Sequence, residues 1–227
     1  MDSHRRLLGG KLMRLNRFHL ALSVLLFSLL LASPAFANSV TVTYLGGTGS
    51  GIGGGAVYPY KVSINGSSTP TFVLCDSFDN DIVKGESWTA TVTPFLQGIA
   101  NSMFGPSMTM DYKAAGLIFK SMLAGNISAT QANWAIWGLF SSNATSQSQF
   151  QSTGAAGLDS LYLTLATTAS NSAYSGLVLY TPKNPVPGMG PQEFIGYSAV
   201  PEPSSLMLMG TGLIGLAGAL RRKLAKV

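Results

Sequence analysis

Apolar and polar residues alternate along several short stretches of the chain. Residues 39–45 (SVTVTYL) carry that alternation and predict a strand. Residues 56–64 predict a second strand, followed by a turn at Asn65-Gly66, a pair that tolerates positive φ. Residues 71–78 and 87–94 (SWTATVTP) predict a third and a fourth. The period then lengthens. Residues 96–104 predict a short helix, and 111–124 a longer one with Asp111 as N-cap and Leu117, Ile118, Met122 and Leu123 at helical spacing. Ser128 caps a helix over 128–140 with Trp134, Ile136, Trp137 and Phe140 on its apolar side, and 155–170 adds Leu158, Leu161, Tyr162 and Leu165. Strands return at 176–181 and 192–198. Strands, then helices, then strands predict an α+β fold: an antiparallel sheet or sandwich with a helical insertion. Residues 46–55 (GGTGSGIGGG) read as a flexible loop and 182–191 as a Pro/Gly loop.

Two apolar stretches fall outside this pattern, one at each end. Residues 20–32 are apolar apart from two serines; they follow Arg14 and Arg17 and precede Ala35-Phe36-Ala37. A basic start, an apolar run and a small-x-small site describe a secretory signal peptide over 1–37, cut before Asn38 by signal peptidase. Met13 would open a more compact version of the same signal. At the other end, Pro201-Glu202-Pro203 precedes an apolar run over 204–220 and then Arg221-Arg222-Lys223. As a helix of about 1.5 Å per residue the run approaches the thickness of a bilayer core, and its basic end belongs on the cytoplasmic side. Between the ends lies the exported domain, its core at 38–181 and a Pro/Gly loop and final strand at 182–200.

The charge follows this division. The net charge of +5 invites a nucleic-acid reading, but residues 1–37 contribute +4 and 201–227 contribute +3. The middle has a net of −2, with no Arg and no Lys cluster, so nucleic acid is excluded as a partner.

The tail, with Pro201, Glu202 and Pro203, an apolar helix and Arg221, Arg222 and Lys223 in that order, resembles the PEP-CTERM sorting signal of Gram-negative bacteria. The resemblance covers 201–227. It implies an exosortase-type membrane protease or transpeptidase as partner, export across the inner membrane, transient anchoring by the C-terminal helix, and release to the cell surface or an exopolysaccharide matrix.

The candidate chemistry is sparse. His4 and His19 both lie in the segment to be removed, so the mature chain has no histidine for a Ser-His-Asp or Cys-His centre or a His-ligated metal. One cysteine rules out a disulfide framework. Gly51-x-Gly53 lacks the GK[ST] of a phosphate loop. No cofactor is indicated. Asp76, Asp79 and Asp81 cluster, and a loose Ca²⁺ site or a solvated acidic turn both fit them, though the EF-hand pattern does not. Paired carboxylates such as Asp76 or Asp79 in a glycan hydrolase remain an alternative.

Cys75 stands among apolar residues in F-V-L-C-D, where a free Cys ordinarily packs as a small hydrophobe. Its surroundings are similar to the thioester-type domains of bacterial surface adhesins. The pieces are Cys75-Asp76, the run Gly85-Glu86-Ser87-Trp88-Thr89-Ala90-Thr91-Val92, Ala114-Ala115-Gly116-Leu117, and Asn133-Trp134-Ala135-Ile136-Trp137. The resemblance implies a thiol facing a side-chain amide. In such domains that amide belongs to Gln and joins the thiol with loss of ammonia. Here the position holds Asn133, one methylene shorter, and Gln131 lies about 200° away around a helix. A thioester-like fold without the bond is the expectation, with Trp134, Ile136 and Trp137 as core. Together these features predict a non-catalytic exported protein of the cell surface or extracellular matrix, acting in adhesion or biofilm assembly, with extracellular polysaccharide a candidate partner. An ice-binding role has only Thr41-x-Thr43 and Thr89-x-Thr91-x-Thr93 behind it.

Overall fold

The computed structural model describes residues 38–50, 56–198, 210–212 and 215. Residues 37–200 make up one compact unit. Residues 210–212 and 215 belong to a second unit and are helical. Among the described residues no helix is long and apolar enough to cross a membrane, and the signal and tail runs expected at 20–32 and 204–220 lie outside them except for those four positions.

Among the described residues six strands build the domain: β1 (Asn38–Ser50), β2 (Ala56–Ile64), β3 (Thr71–Cys75), β4 (Ser87–Pro94), β5 (Leu177–Pro182) and β6 (Phe194–Tyr197). All neighbours are antiparallel, and the order β1-β2-β3-β6-β5-β4 closes on itself. The α+β class and antiparallel pairing expected from the sequence are present, but the sheet is a closed barrel and not an open sheet or sandwich. Closure depends on β1 pairing with both β2 and β4, with Val42 opposite Ile64 on one side and Trp88 on the other.

Period-two patterning places the core in two layers. Val42, Tyr44, Tyr60, Val62, Val73, Cys75, Ala90, Val178, Tyr180 and Phe194 fill the barrel. The intervening residues Leu74, Leu177, Leu179 and Ile195 point outward and pack with the helices. Strand β5 is therefore buried on both faces, which is why its residues are apolar almost without interruption.

The helices lie between β4 and β5: α1 (Phe95–Gly98), α2 (Thr109–Leu123), α3 (Ala129–Phe140), α4 (Ser142–Thr145), α5 (Ser148–Ser152) and α6 (Ala155–Ala166). Ser128 and Gln131 form a reciprocal capping box that fixes the start of α3. Several expectations are corrected. Asp111 does not cap α2, which begins two residues earlier at Thr109 and holds Asp111 in its first turn. Gly46–Ser50 does not loop free but continues β1, paired through Gly49 opposite Val57 and Ser50 opposite Ala56, because backbone pairing needs no side chain. The third strand stops at Cys75, where Asp76 and Ser77 turn into a buried polar network. The polar segment Ser142–Ser152, which has no apolar period to read, forms α4 and α5. At Asn65 and Gly66 both φ angles are positive (50° and 75°), as the predicted turn requires.

Candidate functional site

Cys75 closes β3 and is fully buried, its thiol donating to the Ser77 carbonyl at 3.5 Å. Burial, with neighbouring Asp76 adding to it, pushes the thiol up to about 12, so it stays protonated at neutral pH. Asn133 projects from α3 against the same strand end. Its Nδ2 donates to the Cys75 carbonyl at 3.2 Å and its Oδ1 accepts from the Tyr58 N–H at 2.5 Å. The β2–β3 register, Tyr60 opposite Val73 and Lys61 opposite Phe72, would put Tyr58 opposite Cys75 if it continued. The strands separate there, and the Asn133 carboxamide occupies the gap as a peptide group would, supplying one donor and one acceptor. Both arms of the amide are thus committed to backbone.

Gln131 faces elsewhere. Its Oε1 accepts from the Ser128 N–H at 3.1 Å and its Nε2 donates to the Thr153 carbonyl at 3.4 Å. Trp134 and Trp137 are buried, packed edge to face at 5.1 Å and both against Phe78. Trp134, Ile136 and Trp137 all belong to the helix-side core.

Beside Cys75 lies a polar centre that sequence reading did not assemble. Glu193, fully buried, accepts from the Tyr112 hydroxyl at 2.5 Å, from the Thr181 hydroxyl and from the Met103 N–H at 3.0 Å. Asp76 is equally buried; its N–H donates to the Glu193 carbonyl at 3.4 Å, and its two carboxyl oxygens have no hydrogen-bond partner. Burial and the facing Glu193 raise the Asp76 carboxyl well above its ordinary value. Burial raises the Glu193 carboxyl as well, although its three donors favour its ionised form. The strands bring together residues 117 positions apart, and no local pattern marks Glu193 as the partner.

The three acids considered for Ca²⁺ do not gather. Asp76 is buried, Asp79 is exposed and accepts from Asn143 Nδ2 at 2.8 Å, and Asp81 is exposed. Among the described residues no group of His, Cys, Asp or Glu is arranged to hold a metal. The residue of this segment with the most contacts is Asn80. Its Nδ2 donates to the carbonyls of Val186, Met189 and Gly190, and its Oδ1 accepts from the Gly188 N–H at 2.9 Å. One buried side chain thereby organises the Pro/Gly loop.

On the barrel's outer face, Ser39, Thr41 and Thr43 of β1 stand opposite Thr91, Thr89 and Ser87 of β4. A cleft of about 400 Å³ adjoins this hydroxyl row, lined by Thr91, Thr93, Asn101, Ser102, Thr181 and Lys183. The short Thr-x-Thr stretches thus meet across two strands, on the convex surface of a closed barrel.

Asn38, where the signal is expected to be cut, is the first residue of β1 and pairs with Val92. Ala35, Ala37, Pro201, Glu202, Pro203, Arg221, Arg222 and Lys223 lie outside the described residues. Neither the curated proteins nor the solved structures contain a match to the chain. Comparison with protein families matches the PEP-CTERM protein-sorting motif at residues 199–223. The chain is a PEP-CTERM-containing protein, and that motif implies export by exosortase-type, membrane-associated sorting.

Proposed function

We propose that the protein is a non-catalytic component of the cell surface or extracellular matrix, placed there by its sorting motif and acting through the outside of its barrel domain. The observation that carries this reading is the motif at 199–223, following a compact unit that ends at residue 200. The domain's most elaborate polar centre supports it from the other direction. Asp76, Glu193, Cys75 and Asn133 are all buried; Glu193 is taken up by Tyr112, Thr181 and the Met103 N–H, and the Asn133 amide by backbone. A hydrolase would need its carboxyl pair open to substrate.

Cell fractionation tests the reading. The wild-type chain is expected in the surface or medium fraction of its host. The variant with Pro201, Glu202 and Pro203 all changed to Ala is expected to accumulate unprocessed in the membrane fraction. Equal distribution of the two would overturn the assignment.

The second reading is a covalent adhesin acting through a thioester at Cys75. The meeting of Cys75 with Asn133 favours it, and the commitment of both arms of the Asn133 amide to backbone opposes it.

A further inference from the structure

Phe72 and Tyr197 are large, exposed aromatic residues, 47% and 48% accessible, on strands that are neighbours in the barrel. The β3–β6 register, Val73 opposite Gly196, brings Phe72 and Tyr197 to adjoining positions on the outer surface, one step beyond the helix-covered pair Leu74 and Ile195. Single exposed apolar residues are ordinary on a protein surface; two aromatics side by side are less so.

Lysines stand at both ends of this pair. Lys61 is directly opposite Phe72 in the β2–β3 register. Lys120, in the last turn of α2, sits 5.3 Å from the centre of the Tyr197 ring and is held by a 3.0 Å bond to the Ser175 carbonyl. The Tyr197 ring lies over Gly176, where a Cβ would come within 2.7 Å of it. Two of the five lysines in residues 38–200 thus flank one aromatic platform, and β2, β3 and β6 carry no carboxylate.

From this juxtaposition of Lys61, Phe72, Tyr197 and Lys120 we infer a binding site for an anionic polysaccharide, its sugar faces on the rings and its carboxylates on the lysines. The inference rests on the surface or matrix reading and names the ligand class for it. A closed barrel offers no free strand edge to an extended peptide. Adjacent strands lie about 4.8 Å apart, the scale of one sugar ring. The Lys120 and Gly176 contacts hold the Tyr197 ring in place beforehand, which lowers the ordering cost of binding.

The test uses the full chain, purified in neutral detergent, on sensor surfaces bearing polygalacturonate, neutral dextran or anionic lipid vesicles. Polygalacturonate is expected to bind and dextran to bind far more weakly. Raising salt from about 50 mM to about 500 mM is expected to reduce the binding, because exposed charges are then screened. Phe72→Ala and Tyr197→Ala are each expected to weaken binding about tenfold, as truncating an aromatic anchor does. Lys61→Gln with Lys120→Gln should weaken it and flatten the salt dependence. Phe72→Tyr, which retains the ring, should bind nearly as the wild type and so controls for loss of fold. The site is overturned by absence of polygalacturonate binding, by binding that survives the combined Phe72→Ala and Tyr197→Ala change, or by capture on vesicles alone. Failure here leaves the fractionation result standing, so the ligand and the sorting role are judged separately.

Discussion

At the residue scale, the pair singled out by the sequence does meet, but by a different bond. Asn133 reaches the backbone carbonyl of Cys75 and not its thiol, while Gln131 is held by Ser128 and Thr153. What the sequence could not convey is that the Asn133 amide completes a strand pairing, since that depends on where β2 and β3 separate. Its consequence is testable. The purified chain should carry its full mass, without the loss of ammonia that a thioester requires. Native Cys75 should resist alkylation near pH 8 and react once the chain is unfolded, because the thiol is buried and lies at about 12. Asn133→Ala should leave a buried N–H and a buried C=O without a partner. Each such loss costs about 1–3 kcal/mol, so urea unfolding should show destabilisation of about 2–4 kcal/mol and faster labelling of Cys75. A mass short by one ammonia would restore the covalent reading.

At the element scale, helix packing is tighter than propensity would choose. Gly138 lies inside α3, where Gly is about 1 kcal/mol worse than Ala in an isolated helix. A Cβ there would fall 2.2 Å from the Phe150 ring and 2.7 Å from the Asp159 carboxylate. Over-packing of this kind costs about 1–3 kcal/mol and outweighs the propensity gain. Gly138→Ala is therefore expected to lower the thermal midpoint, whereas Gly157→Ala, in α6 with open space around it, should not. A raised midpoint for Gly138→Ala would show that α5 and α6 can shift to make room. Elements with a clear apolar period were legible in the sequence: β2 and β4 fall on their predicted residues, and α3 starts one residue after its predicted cap. Elements lacking side-chain period were not. The glycine end of β1 is held by backbone pairing, and α4 and α5 by Ser and Thr hydroxyls bonding back to carbonyls. Barrel closure was invisible for a related reason, since alternation marks which face of a strand is buried and not which strand lies beside it.

At the scale of the whole molecule, the basic character of the chain belongs to its ends, and the pH dependence of the domain's stability follows from its carboxyls. The buried acid pair could not be read locally, because Asp76 and Glu193 meet only when β3 and β6 pair. Every carboxyl whose value moves in the fold moves upward: Asp76 and Glu193 by burial, Asp111 by partial burial, and Asp159 to about 7 by burial with Asp111 adding to it. A carboxyl with a raised value holds a proton in the folded state that the unfolded chain, with Asp near 3.9, has already lost. Its stabilising effect is complete below about pH 4 and disappears as pH rises through the folded value. The domain should thus become more stable as pH falls from 8 to 5, opposite to a fold held by ionised carboxylates. For Asp159 the window lies between about pH 4 and about pH 7. A three-unit shift would nominally exceed 4 kcal/mol, but its partial exposure reduces the expected effect to about 1–2 kcal/mol. Urea midpoints measured from pH 5 to pH 8 should fall steadily for the wild type. Asp159→Asn should flatten the curve below pH 7, and Asp76→Asn should remove slope wherever its proton is lost. A midpoint that rises with pH over this range would mean that Asp76 and Asp159 are ionised in the fold.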